Sequence, residues 1–189
     1  MNTRLVRLAD RIGLSFVDRN AVSGRISSRA ARLARGGFVW AVASAVMALR
    51  RSWRRSAVAG IVAWAVADGA ALTLKRLVER PRPRFVPARG PLPRSSAFPS
   101  SHASGAAAYV VAAGLNSPAT AVATVPLAAA VSWGRLVDRR HFPIDILSGV
   151  VLGAGIGAIA HVVANHLVPQ RPVESPAHVP AVGRPSLVT

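Results

Sequence analysis

The sequence predicts an all-α fold, a multi-pass transmembrane helical bundle of about five spans plus an N-terminal amphipathic helix. Three observations predict it. Of the 189 residues, 51% are hydrophobic, and they lie in long Ala/Val/Leu/Gly runs. Clusters of arginine separate these runs. The chain carries 24 Lys and Arg against 7 Asp and Glu, a formal net charge of +17. Apolar runs flanked by basic clusters are typical of a protein that spans a membrane several times.

The composition also narrows the function classes. In a soluble domain, this excess of positive charge would suggest a nucleic-acid binder. The apolar runs and the lack of a stacking-aromatic platform argue against that class, so we expect no nucleic-acid partner. No cysteine is present, which excludes disulfides and thiolate chemistry. The first 35 residues lack an apolar h-region, so no cleavable signal peptide is expected.

Three segments are predicted along the chain: a basic amphipathic segment at 1–35, a transmembrane domain at 36–168 and a Pro-rich, disordered tail at 169–189. In the first segment, Leu5, Leu8, Ile12 and Phe16 recur at helical spacing with arginines between them. This pattern fits a helix that lies on an anionic membrane surface. It fits equally well a helix that packs within the bundle.

Five apolar runs are predicted to be the spans, at 36–49, 56–74, 97–115, 118–133 and 146–168. The first has only about 14 residues, near the short limit for crossing, whereas the second is roughly 28 Å long as a helix. Asp68 lies inside the second run and needs either a partner or a polar cavity. Gly149, Gly153 and Gly157 recur every fourth residue in the last run, which permits close contact with another helix.

Three motifs at the ends of these runs carry chemistry. The first joins Lys75 at the end of the second span to Arg82-Pro83 in the following Pro/Arg-rich connection. Taken alone it is weak, because basic residues are common at span ends. The second is Pro99-Ser100-Ser101-His102, at the start of the third span. Its serines can cap a helix whose free amides bind an anion, and a histidine beside such a site can protonate a leaving oxygen.

The third motif runs from Gly134 to Asp145 and contains Arg135 and His141. An Asp four residues after a His can reach one ring nitrogen, which fixes the tautomer and leaves the other nitrogen free to attack. Arg135 offers a planar fork of donors for a phosphate. The alternative is a basic loop between two spans.

The order of the motifs strengthens the functional interpretation. One loop joins spans two and three and another joins spans four and five, so both loops fall on the same membrane face. Two histidines, one carboxylate and three cations are therefore predicted to converge there. Such a set suits phosphoryl transfer without a metal or other cofactor.

These residues resemble the three-part signature of the type 2 phosphatidic acid phosphatase superfamily, which reads Lys-x6-Arg-Pro, Pro-Ser-Gly-His and Ser-Arg-x5-His-x3-Asp. The resemblance covers about residues 56–168. It implies that His141 is the nucleophile and forms a phosphohistidine, that Asp145 orients it, and that His102 protonates the leaving oxygen. It also implies a set of phosphate-binding residues, namely Lys75, Arg82, Arg135, Ser100 and Ser101.

Two positions depart from the signature. Ser101 stands where the family has Gly, so its side chain would narrow the phosphate pocket. Gly134 stands where the family has Ser, so a hydroxyl that would support the site is missing. Neither departure removes a group that does the chemistry.

The resemblance implies a lipid phosphatase of the plasma (inner) membrane, with polyprenyl phosphates or diphosphates ranked before phosphatidic acid and phosphatidylglycerol phosphate. The side that carries the site and the oligomeric state stay open, because active-site arginines distort the count of positive charges per loop. The alternatives are a catalytically weak lipid-phosphate-binding protein on the same fold and a vanadate-dependent haloperoxidase, which the spans disfavour.

Overall fold

The structure is a computed structural model that describes residues 8, 12–14, 17, 22–83, 88 and 91–167. Within these residues the secondary structure is helical, and no strand is present. The described α-helices are α1 (Val22–Leu33), α2 (Phe38–Ala48), α3 (Arg54–Leu77), α4 (Ser101–Asn116), α5 (Pro118–Val137) and α6 (Pro143–Leu167). The predicted all-α fold is therefore confirmed.

Several of the helices have the length and the apolar composition of membrane-spanning helices. In the part of the chain that the structure describes, three are long and apolar enough to cross a membrane, at Arg51–Leu77, Pro118–Val137 and Pro143–His166. The other two predicted spans form shorter helices, since α2 has 11 residues and α4 has 16. Valines along α3 are exposed on the outer surface, where they would contact lipid.

Helix α4 lies at the centre of the bundle and contacts α3, α5 and α6. The contact with α6 depends on the glycine ladder. A Cβ on Gly149 would lie 2.5 Å from the carbonyl oxygen of Ser100, and one on Gly153 would overlap the carbonyl oxygen of Ser104. Small residues thus let the two backbones approach closely, as the sequence predicts. This contact sets the N-terminal ends of α4 and α6 side by side.

An aromatic contact joins α2 to α4 further along the bundle. The rings of Trp40 and Tyr109 lie 4.8 Å apart between centroids, and both side chains are buried. The hydroxyls of Tyr109 and Ser44 are hydrogen bonded at 2.9 Å. The short helix α2 is therefore packed into the bundle through its polar as well as its apolar side chains.

Most of the predicted N-terminal amphipathic helix lies outside the described residues, as does the tail from residue 168. Of the residues described there, Leu14 and Val17 are almost fully buried against the bundle. The guanidinium of Arg139 donates to the backbone carbonyls of both. Leu8 and Ile12 are about half exposed. The structure therefore packs Leu14 and Val17 on the bundle, whereas Leu8 and Ile12 stay at its surface.

Candidate active site

The candidate site lies at one end of the bundle, where α3 and α5 end and α4 and α6 begin. The backbone amide of Ser100, at the start of α4, donates to the carbonyl of Asp145 in the first turn of α6 at 3.0 Å. Nη1 of Arg82, after α3, donates to the carbonyl of Arg140, after α5, at 2.7 Å. The three sequence motifs are therefore brought together at one end, as their order predicts.

His141 lies in the tight bend between α5 and α6, which Arg139 turns with a positive φ of 56°. Nδ1 of the imidazole lies 3.7 Å from Oδ2 of Asp145, beyond hydrogen-bonding distance. Nε2 lies 3.3 Å from Nη1 of Arg82. One ring nitrogen thus faces the carboxylate, and the other faces a cation that would attract a phosphate.

The environment of His141 keeps its imidazole neutral. The side chain is only 2% exposed. Burial lowers the pKa of His141 well below its usual value of 6.5, and the positive charges of Arg135, Arg82 and Lys75 lower it further. A neutral imidazole has a lone pair on one ring nitrogen. His141 is therefore in the protonation state that a nucleophile requires.

Arg82 is held in place by the loop that precedes α4. Its Nε donates to the carbonyl of Ser95 at 3.2 Å, and its Nη2 donates to the carbonyl of Ser96 at 3.2 Å. Burial lowers the pKa of Arg82 from its usual value, and the charge of Arg140 adds to this effect. These bonds fix the planar guanidinium beside Nε2 of His141.

Lys75, predicted to bind phosphate, makes contacts of another kind in the structure. Its Nζ donates to the backbone carbonyls of Ser96, Ala97 and Pro99, at 3.1, 3.4 and 2.5 Å. An ammonium group has three donors. Lys75 therefore holds the loop that leads into α4, and direct contact with a phosphate would require the exchange of one of these bonds.

Three buried polar atoms of the candidate site lack a hydrogen-bond partner among the described residues. They are Nε2 of His102, in the first turn of α4, Nε of Arg135, in the last turn of α5, and Nδ1 of His141. Ser100 caps the helix, since its Oγ accepts from the amide of Ala103 at 3.4 Å. Buried polar groups are normally paired, so these atoms mark a place that a polar ligand would complete.

Ser101, the first departure from the family signature, lies close to Asp68. Its hydroxyl and the charge of Lys75 both act on the carboxylate of Asp68. Asp68 lies on α3, seven residues and about two helical turns before Lys75. Asp68 therefore lies near a hydroxyl at the start of α4, in the interior of the bundle.

Helix packing explains why glycine occupies position 134, the second departure from the family signature. A Cβ on Gly134 would overlap the backbone carbonyl of Ser27 in α1, and it would lie 2.8 Å from Cβ of Ala31. One residue along α1, Oγ of Ser28 donates to Oδ1 of Asp138 at 2.6 Å. Helix α1 therefore occupies the space that a serine side chain at position 134 would need.

Arg80 belongs to the site, although the sequence did not indicate it. Its Nη1 donates to Oδ1 of Asp145 at 2.7 Å, and its guanidinium lies 5.0 Å from the ring centroid of Phe142. The amide of Phe142 donates to Oδ2 of the same carboxylate at 2.8 Å. The only signal in the sequence is a further arginine two residues before Arg82, which does not distinguish an ion pair from a solvated charge.

Sequence comparison with known proteins identifies a family and two related enzymes. A sequence model of the PAP2 superfamily matches residues 56–168, the range from α3 to α6 that contains all the candidate site residues. Decaprenylphosphoryl-5-phosphoribose phosphatase of Mycobacterium tuberculosis is 36% identical over 128 residues, which cover 66% of this chain and 69% of that protein. The enzyme of the same name from Mycolicibacterium smegmatis is 37% identical over 106 residues, or 54% of each chain.

A solved structure has a similar fold. It is the transmembrane PAP2-type phosphatidylglycerolphosphate phosphatase of Bacillus subtilis, which matches with a TM-score of 0.70. The match covers 90% of this chain and 91% of that one, at 19% sequence identity. At this identity the match supports the helical architecture of the bundle.

Proposed function

Since the chain belongs to the PAP2 superfamily and is a membrane lipid phosphatase, we propose that it releases phosphate from a polyprenyl-linked lipid through a phosphohistidine at His141. The relatives at 36 and 37% identity are named for a lipid of this kind, a decaprenylphosphoryl phosphoribose. We further propose the plasma membrane as its location, where such a lipid would reach the site from the bilayer.

The observation that carries the proposal is the position of the His141 ring. Asp145 lies 3.7 Å from Nδ1, and Arg82 lies 3.3 Å from Nε2. A proton on Nδ1 would face the carboxylate, so the lone pair would lie on Nε2. Nη1 of Arg82 is directed at this lone pair, so a phosphate that takes over this donor would meet the lone pair of a neutral imidazole.

In the first step, Nε2 of His141 attacks the phosphorus and the ester P–O bond breaks. With the anionic phosphate bound among the cations of the site, His102 takes up a proton and then gives it to the leaving oxygen. The phosphohistidine that forms is stabilised by the carboxylate of Asp145. The phosphate oxygens would be held by the predicted set, which is Lys75, Arg82, Arg135, Ser100 and Ser101.

In the second step, a water molecule attacks the phosphorus and the P–N bond breaks. Neutral His102 takes a proton from this water, so it is ready for the next cycle. Free phosphate leaves and His141 is neutral again. Among the described residues, no three His, Asp or Glu side chains group as a metal site would require. Whether a metal takes part is tested directly by a chelator.

The test is phosphate release by the purified protein in detergent, with chelator present. The substrates are a polyprenyl phosphate, a polyprenyl diphosphate, phosphatidic acid and phosphatidylglycerol phosphate. We expect release to be fastest from a polyprenyl lipid and to fall by several orders of magnitude in His141→Ala. The matched control is His161→Ala, because His161 lies far along α6 and is bonded to Asn165.

Two results would contradict the proposal. Full activity in His141→Ala would exclude this nucleophile. Binding without phosphate release from any of the four lipids would identify a lipid-phosphate-binding protein on the same fold.

A further inference from the structure

A cavity of about 550 Å³ opens beside the candidate site, between the end of α3 and the loop at residues 92–96. Its volume is in the range of small-molecule sites. Only one acidic residue, Glu79, is among the described residues that line it. The basic residues in this lining are Lys75, Arg76, Arg80, Arg82 and Arg94.

The cavity adjoins the reacting groups through two arginines, Arg82 and Arg80. The described lining contains neither His141 nor His102. Arg82 borders the cavity, and its Nη1 lies 3.3 Å from Nε2 of His141. Arg80 also borders it and is bonded to Asp145. An anion in the cavity would therefore lie one guanidinium group away from the phosphate at His141.

Arg76 and Arg94 distinguish the cavity from the site itself. Lys75, Arg80 and Arg82 donate to backbone carbonyls or to Asp145, so protein groups already occupy many of their donors. Arg76 and Arg94 are exposed and make no hydrogen bond or ion pair with the described residues. Their planar forks are suited to the oxygens of a second phosphate.

We propose that this cavity is a second anion subsite, which binds the phosphoryl group that the reaction does not remove. The inference rests on the proposed function, and it narrows the preferred substrate to lipids with two phosphoryl groups. These are diphosphates, or phosphodiesters that also carry a terminal phosphomonoester. The terminal phosphate lies at His141, and the inner one lies in the cavity near Arg76 and Arg94.

The kinetic test compares a polyprenyl diphosphate with the monophosphate of the same chain length. The measured quantity is the ratio of their kcat/KM values. We expect Arg76→Gln and Arg94→Gln each to lower this ratio about tenfold, because each removes a charge-assisted contact with the inner phosphate. Arg29→Gln is the matched control, since it removes an exposed positive charge on α1 outside the cavity. Its ratio should equal that of the wild type.

Two kinetic outcomes overturn the subsite. Equal losses on both substrates would mean that these arginines only attract anionic lipid surfaces. An unchanged ratio in the Arg76→Gln/Arg94→Gln double variant would mean that the inner phosphate lies elsewhere.

A binding measurement separates this inference from the proposed function. Calorimetry with inorganic pyrophosphate and inorganic phosphate should show tighter binding of pyrophosphate, and the double variant should lose the difference. Such binding without lipid hydrolysis would support the subsite and refute the phosphatase proposal. Hydrolysis that depends on His141, with equal binding of the two anions, would refute the subsite alone.

Discussion

Arg80 and Asp145 form an ion pair in which Nη1 of the arginine lies 2.7 Å from Oδ1 of the carboxylate. The aspartate side chain is fully buried, whereas that of Arg80 is 19% exposed. The other carboxylate oxygen, Oδ2, faces Nδ1 of His141 at 3.7 Å. The orientation of the carboxylate towards the imidazole therefore depends on a residue outside the family signature.

The first prediction concerns this ion pair. We expect Arg80→Gln to lower kcat by about ten- to 100-fold, the range found for residues that orient the ligands of a metal ion in a comparable way. KM should change less, because Arg80 acts on His141 through Asp145. Steady-state kinetics on a polyprenyl monophosphate measure both quantities. The monophosphate is chosen because it has no inner phosphate to contact Arg80 in the cavity.

Arg80→Lys supplies the control for this prediction. It keeps the positive charge and should recover part of the lost kcat. A loss confined to KM would instead show that Arg80 binds substrate, and an unchanged kcat would show that the ion pair does not orient the site.

The second prediction is that His141 makes stability depend on pH. The folded state lowers the pKa of His141 well below 6.5. Between the lowered pKa and pH 6.5, the imidazole therefore binds a proton in the unfolded state but not in the folded state. The contribution of the neutral His141 to the unfolding free energy is therefore fully present above pH 6.5. It falls as the pH drops below 6.5, by at most about 1.4 kcal/mol per pH unit. Unfolding in mixed detergent should show this slope in the difference between the wild type and His141→Asn, which has no imidazole at this position. A difference that is constant from pH 7 to pH 5 would contradict the prediction.

Much of the architecture was predictable because apolar runs and arginine clusters report membrane helices directly. The residues at which the helices begin and end were less predictable. Helix α5 continues to Val137, four residues beyond the predicted end of its span, and it includes Gly134 and Arg135. Helix α6 begins at Pro143, three residues before the predicted start. Polar residues of the site extend these helices past their apolar cores, and hydropathy does not register that extension.

The site was predictable as a set of residues but not as a network of contacts. Spacing along the chain placed His141 near Asp145, yet it did not reveal that the carboxylate is bonded to Arg80. Likewise, the charge of Lys75 suggested a phosphate ligand, whereas its donors are directed at backbone carbonyls. Such pairings depend on the conformation of the loops, which residue spacing and hydropathy in a single sequence do not predict.

The third prediction tests the packing explanation for Gly134. Gly134→Ser restores the family residue, but its side chain would overlap a backbone carbonyl of α1 that cannot rotate away. We expect a loss of about 1–3 kcal/mol in unfolding free energy, as for other overpacked sites. Gly155→Ser is the matched control, because nothing lies within 4 Å of a Cβ at that helical glycine. Equal stability of the two variants would refute the explanation.

The fourth prediction is that Ser101 and Asp68 act as a pair. Ser101→Ala removes the hydroxyl close to the half-buried carboxylate, so we expect a loss of about 0.5–1.5 kcal/mol in stability. Asp68→Ala in the same background should cost much less than it does in the wild type, because the partner is already gone. A double-mutant cycle of unfolding free energies measures this coupling, which should be at least about 0.5 kcal/mol for residues in contact. Additive losses would show that the two side chains are independent, and Ser101 would then be a simple replacement for the usual glycine.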